Sequence, residues 1–209
     1  MQRSSRRDRG FSLIAALWLV VVPASAGEWN PDRNVGDEVP AWEGLRGTDG
    51  RDHAWSDLSA HDAVVVVFTS NGCPYALDHE TRIDDLAAAL EAGGRATLVA
   101  VNSNQVPEDS LDAMTRRAEE RRFCFPYLAD PDQVVAGSFG ALRTPEFFVL
   151  DRKRRIRYMG VLDDDPEGGK PSRHYVEEAV AAILADRGPE VTETAPVGCL
   201  IRAKRRRGN

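Results

Sequence analysis

Residues 63–69 read Ala-Val-Val-Val-Val-Phe-Thr, an unbroken apolar run dominated by β-branched side chains. Such side chains are stiff at χ1 and pack well on a pleated surface. A run without polar alternation has no side suited to water. It fits a strand buried on both faces, as in a parallel sheet. The rest of the chain must therefore supply cover for two faces of a sheet.

The flanking pattern supplies it. From Leu77 onward, Ile83, Leu86, Ala87 and Leu90 recur at helical spacing with acidic residues opposite, and Gly93-Gly94 ends the run. Residues 96–102 (ATLVAVN) read as a second buried strand, and Leu111, Met114 and Ala118 mark a helix entered after Pro107-Glu108-Asp109-Ser110. Residues 125–129 read as a short strand. Asp130-Pro131-Asp132-Gln133 reads as a capped helix start with proline at the first helical position. Residues 146–151 and 155–161 read as two strands joined by a polar turn. Val176, Ala179, Val180, Ile183 and Leu184 give a last amphipathic helix ended at Gly188. Upstream, residues 35–59 read as two short strands around a Gly-Asp turn region, and residues 30–42 as a polar wrap. Strands alternating with helices, closed by an antiparallel pair, predict an α/β fold with a central mixed β-sheet and helices on both faces.

Within that frame one residue stands at a chemically special place. Cys73 lies where the valine strand gives way to a helix, and Pro74 fits the first helical turn. The N–H groups of a helix start lack intrahelical partners, and the helix dipole there favours negative charge. A thiolate gains from both, so the position lowers a cysteine pKa. The plainer alternative is a small packed hydrophobe. The backbone N–H groups near Gly72 are candidate partners for the anion. Thr144-Pro145 precedes a strand, where proline is tolerated and a cis peptide is compatible, and that loop could lie beside Cys73.

Several segments in this order carry a resemblance: NGCPYALDHETRIDDLAA, VAVNSNQVPEDSLDAMTRRA, FPYLADPDQVVAGSFGA, TPEFFVLD and PVGCLI. From about Val35 to Ile201 the chain resembles the thioredoxin-like superfamily, in its peroxiredoxin-like branch related to alkyl hydroperoxide reductase and thiol-specific antioxidant proteins. The resemblance implies a thioredoxin-like fold, Cys73 as the redox cysteine and Pro145 as the cis-proline facing it. Departures are specific. Ala76 stands where thioredoxin-type reductases carry a second cysteine, so a local dithiol is excluded. Ser70 fills the hydroxyl position of the peroxiredoxin pattern, but Val66 stands where that pattern has proline. Arg143 is the candidate to replace the arginine that such enzymes place near the thiolate.

The activity that follows is thiol-dependent oxidation and reduction. Cys73 attacks a peroxide oxygen or a disulfide sulfur, and an external thiol restores it. Cys199, in the Gly-Cys near the C-terminus, and Cys124 are the candidate resolving thiols. The plainer alternatives are a packed core residue for Cys124 and a structural Cys73–Cys199 disulfide. A non-catalytic thioredoxin-fold binding domain with an idle Cys73 is the rival reading, favoured by Ala76. Thr144, Pro145 and the retained Cys199 favour catalysis. No cofactor or metal is expected. Cys73 with His79 lacks the usual ligand count, and Asp163-Asp164-Asp165 lacks EF-hand spacing. His53, His61 and His174 fall in no motif.

The first 26 residues have a separate character. Arg3, Arg6, Arg7 and Arg9 precede a mostly apolar stretch of 12 residues, Phe11 to Val22, and Ala24-Ser25-Ala26 is a small-x-small cleavage site. That is the layout of a secretory signal, and the stretch falls short of the roughly 20 residues of a membrane span. The expected organisation is a signal at 1–26, a thioredoxin-like domain at 35–188 and a tail at 189–209 carrying Cys199. The product is exported to the periplasm or the extracellular space, where disulfides persist. Removing the signal takes four Arg and one Asp and changes the net charge from −6 to −9. An acidic domain is a poor partner for nucleic acid, and the basic run at 202–207 reads as a solvated end. Expression with the native leader should yield a protein beginning at Gly27 by N-terminal sequencing; a secreted product retaining Met1 would refute the cleavage site.

Overall fold

The computed structural model describes residues 27–167 and 169–202. The signal reading at 1–26 and the basic run beyond Arg202 lie outside the described residues. The elements in chain order are β1 (Leu45–Gly47), β2 (Asp52–His53), β3 (Ala63–Phe68), α1 (Pro74–Gly93), β4 (Ala96–Asn102), α2 (Leu111–Arg121), β5 (Tyr127–Ala129), α3 (Val134–Phe139), β6 (Arg143–Thr144), β7 (Glu146–Asp151), β8 (Ile156–Gly160), α4 (Tyr175–Leu184) and β9 (Cys199–Leu200).

The valine run is β3, the third strand from one edge of a seven-stranded sheet ordered β2-β1-β5-β4-β3-β7-β8. It pairs parallel with β4 and antiparallel with β7. The sheet is mixed, as the strand and helix order predicts. β3 is buried along its whole length. Ala63, Val65 and Val67 join the core under α1, α2 and α4, with Ile83, Leu86, Met114 and Val180. Val64, Val66 and Phe68 join the opposite core, with Trp42, Trp55, Val135 and Phe139. Period-two alternation thus divides one uniform sequence between two cores. Helices cover both faces, but unequally. The second face takes only the six-residue α3, and an N-terminal segment completes it. There Phe68, Phe139 and Phe148 meet edge to face at centroid separations of 5.1–5.7 Å.

Helix α1 starts where the valine strand had to end. Cys73 is its N-cap and Pro74 its first residue, while Gly94 closes it in the left-handed region at φ 68°. Arg117 of α2 grips the nearly buried Glu80 of α1 through Nε (2.8 Å) and Nη2 (2.6 Å), which locks the two helices together.

Two boundaries differ from the pattern reading. The Asp130-Pro131 start is displaced: α3 begins at Val134, and Asp130 caps it from outside by accepting the N–H groups of Val134 (3.0 Å) and Ala136 (2.9 Å). The turn intervenes because the Asp130 carboxylate also binds the Ser103 hydroxyl at 2.8 Å, which ties it to the end of β4. Helix α4 stops at Leu184, before Gly188, because Asp186 already adopts a left-handed φ of 57°.

The segment beyond α4 is a strap along the sheet. Thr194 N–H donates to the Met159 carbonyl (3.0 Å), and Met159 N–H donates to the Thr192 carbonyl (3.1 Å). Glu193 accepts the N–H groups of Glu28, Trp29 and Asn30, so residues 28–30 meet the strap beside β8. The strap then crosses to β6 and forms β9. Phe148 is fully buried at the centre of the aromatic cluster. Phe148→Ala should therefore cost about 3–5 kcal/mol in denaturant unfolding; a loss under about 1 kcal/mol would show that this face does not close on the aromatic cluster.

Candidate active site

Cys73 is only 1% exposed, and its Sγ donates to the Thr144 carbonyl at 2.8 Å. The Thr144–Pro145 peptide is cis. Two opposing effects set the thiol's ionisation. Burial disfavours the thiolate, but donors converge on it: the Cys199 thiol, the Ala76 N–H, the Thr144 hydroxyl and the Cys199 N–H. The Thr144 carbonyl favours the protonated thiol, since it can only accept. Four donors outweigh one acceptor and the burial penalty, and the Cys73 pKa is lowered. Cys199 moves the other way. Burial, its bond to Cys73 and the charge of that neighbour push it up to about 11. Of the two thiols, Cys73 is therefore the one that ionises more readily.

Cys199 reaches this place by backbone pairing. In the antiparallel β6–β9 ladder Thr144 faces Cys199 and Arg143 faces Leu200. Ile201 N–H extends the ladder by donating to the Leu142 carbonyl at 2.9 Å. Gly198 makes the approach possible. Its φ is 155°, and a Cβ there would sit inside the van der Waals shell of the Thr144 carbonyl. Arg143 Nη1 then binds the Gly198 carbonyl at 2.7 Å. The guanidinium proposed for the thiolate therefore clamps the strap.

The remaining expected residues fall around this centre. The Ser70 hydroxyl shares a hydrogen bond with the Thr144 hydroxyl (3.3 Å), so it acts one step away from the sulfur. The N–H found at the thiol belongs to Ala76, where Gly72 was the expected neighbour, because the first helical turn aims later N–H groups back at its N-cap. Ala76 thus offers backbone where a thioredoxin-type reductase offers a second sulfur. Val66 sits mid-strand with neighbours on both sides, Val99 and Phe148, where a proline would remove a ladder hydrogen bond. His79 is buried and kept neutral, first by that burial and then by the Arg82 cation. Its Nδ1 meets the Tyr75 carbonyl (2.7 Å) and its Nε2 meets Arg82 (3.1 Å), so neither nitrogen is turned to Cys73. Cys124 is exposed against Asp84, and its pKa is raised by burial and by that carboxylate. It is neither packed in the core nor near Cys73.

Sequence reasoning missed two carboxylates here. Glu146 is buried and accepts the N–H groups of Leu142 (2.9 Å) and Arg143 (3.0 Å), which fixes the loop before Pro145. Burial raises its pKa. Asp109, read only as part of a helix entry, accepts the N–H of Asn71 two residues before Cys73 (2.6 Å). A signal existed in both cases: an acid beside an apolar strand, and an acid in a run near three polar amides. A groove of about 830 Å³ lies between the N-terminal segment and the ends of β4 and β5, lined in part by Trp42, Leu45, Pro107 and Val135. It does not include Cys73, whose sulfur is closed beneath β9.

Comparison with known proteins agrees with this fold. The sequence model of the AhpC/TSA family matches residues 35–159. The fold is similar to that of an uncharacterized conserved protein from Geobacillus kaustophilus (TM-score 0.76, 32% identity, 83% of this chain and 94% of that one). A hypothetical protein from Sinorhizobium meliloti is as similar (TM-score 0.76, 30% identity, 83% and 96%). A peroxidoxin from Mycobacterium tuberculosis is more distant (TM-score 0.55, 25% identity, 73% and 97%). No curated protein matches the chain significantly.

Gly198→Ala tests the strap directly. The added methyl should drive β9 off β6 and raise the rate of Cys73 alkylation by about tenfold or more, since access now limits that thiol. An unchanged rate in a folded variant would show that the strap does not cover Cys73.

Proposed function

Since this chain belongs to the AhpC/TSA family, we propose that it is an exported thiol-dependent oxidoreductase with Cys73 as nucleophile and Cys199 as resolving thiol. The observation that carries this reading is the shared backbone unit: Thr144 accepts from Cys73 Sγ at 2.8 Å and pairs with Cys199 in the β6–β9 ladder. With a hydroperoxide, the Cys73 thiolate attacks one oxygen, the O–O bond breaks, and the alkoxide or hydroxide leaves with a proton. Cys73 becomes a sulfenic acid. The Cys199 sulfur then attacks that sulfur, water leaves, and a Cys73–Cys199 disulfide remains. With a disulfide substrate, the same attack gives a mixed disulfide that Cys199 resolves. An external dithiol returns the two electrons. The similarity to a peroxidoxin favours the hydroperoxide.

The backbone donors of Ala76 and Cys199 serve as the thiolate environment, and Thr144-Pro145 as the floor of the site. Export rests on the residue pattern at 1–26. Among the described residues no helix is long and apolar enough to cross a membrane. The closure of Cys73 joins Ala76 in supporting the rival reading, in which a thiol 1% exposed is idle.

Turnover decides between them. The mature protein should reduce hydrogen peroxide or a small disulfide far faster than free cysteine does, and Cys73→Ser should abolish this. Cys199→Ala should leave a Cys73 sulfenic acid that dimedone traps. The same substitution removes a donor to the thiolate, so the Cys73 transition in ultraviolet thiolate absorbance should move to higher pH. Parent turnover no faster than free cysteine would leave the idle-thiol reading standing.

A further inference from the structure

We propose that Asp109 is a positioning residue for the two cysteines: one buried carboxylate holds both the loop that carries Cys73 and the strap that carries Cys199. The inference rests on the resolving role of Cys199 given above and adds the device that sets its reach. Asp109 Oδ1 accepts the Asn71 N–H (2.6 Å) and the Asn102 amide (2.8 Å). Its Oδ2 accepts the Asn104 amide at 2.8 Å. Asp109, Asn102 and Asn104 are all buried.

The two arms leave in different directions. On one side, Asn71 lies two residues before Cys73, and its side chain is held by the Glu108 carbonyl (2.9 Å) and the Tyr127 hydroxyl (3.1 Å). Tyr127 in turn accepts from Asn102 at 2.8 Å, which closes a ring of bonds under the thiol loop. On the other side, Asn104 Oδ1 accepts the Arg202 N–H at 2.6 Å. The Arg202 carbonyl accepts the N–H of Gln105 (2.8 Å) and the amide of Gln133 (3.2 Å). Arg202 is three residues past Cys199, so this bond pins the far end of β9. The Arg143 clamp on Gly198 pins the near end.

The consequence is a fixed distance between two thiols far apart in sequence. A carboxylate accepting several amide donors makes strong, short bonds, and amides orient best when every donor is used. Loosening either arm lets one sulfur wander and lowers its effective concentration at the other. The Arg143 clamp remains in that case, so the pair weakens without coming apart.

The full chain can be equilibrated with reduced and oxidised glutathione and the Cys73–Cys199 link quantified by mass spectrometry after alkylation. Forming the link passes two electrons to glutathione disulfide and yields two molecules of reduced glutathione. Asn104→Ala removes the link from Asp109 to the strap and leaves the Gln105 and Gln133 bonds to the Arg202 carbonyl in place. It should lower the equilibrium constant about tenfold, a rise in potential of about 30 mV. Asp109→Ala cuts both arms and should lower it further. A residue that props the reduced and oxidised forms equally leaves the reduction potential unmoved, and the Asn104 arm keeps the test open should Asp109→Ala fail to fold. An Asn104→Ala potential equal to the parent's overturns the proposal even if peroxide turnover is normal. A shifted potential in a chain without turnover supports the positioning role and sinks the catalytic one. A parent that forms no Cys73–Cys199 link overturns both.

Discussion

The two-residue pairing of β6 with β9 fixes where Cys199 lies relative to Thr144 and Cys73. Thr144 offers its carbonyl to Cys73 on one side and its strand edge to Cys199 on the other. A single backbone unit therefore sets the position of both sulfurs. Everything around it serves to keep that unit in place: Glu146 binds the N–H groups before it, Arg143 grips the strap opposite, and Gly198 allows the close approach. A ladder this short is marginal alone. Its persistence depends on the side-chain bonds at both ends.

The electrostatics follow from the same contact. A buried thiol would ordinarily stay protonated, because the low-dielectric interior penalises charge. Here the helix start and the strap aim donors at the sulfur and more than offset that penalty, so its pKa is lowered. The partner thiol pays the opposite shift, since an anion beside it makes a second ionisation costly. Geometry thus separates the acidities of two chemically identical side chains. The cost is access, because the strap that supplies donors also covers the sulfur.

Particular residues show what could be read in advance. The valine run, the helix periodicity after Leu77 and the strand pair at the end were legible, because burial on two faces and helical spacing leave direct marks on residue order. Cys73 at a helix start and the cis Thr144–Pro145 loop were legible for the same reason. The hydrogen-bond partner of Arg143 was not legible: its charge was plain, but its direction depends on a strap that arrives from 55 residues away in the chain. The displaced start of α3 has a similar cause, since Asp130 answers to Ser103 on another strand.

What the residue order determined by itself was a strand buried on both faces, a helix opening on Cys73-Pro74, and the exclusion of a local dithiol by Ala76. Those are consequences of short-range propensity and periodicity. Only the tertiary structure decided which thiol faces Cys73, which group donates to it, and that the segment after α4 is a bound strap. The physical reason is that these depend on register and on buried hydrogen bonds between distant segments. Cys124 and Cys199 are equal as letters. Pairing with Thr144 puts one against Cys73, while the other lies exposed beside Asp84.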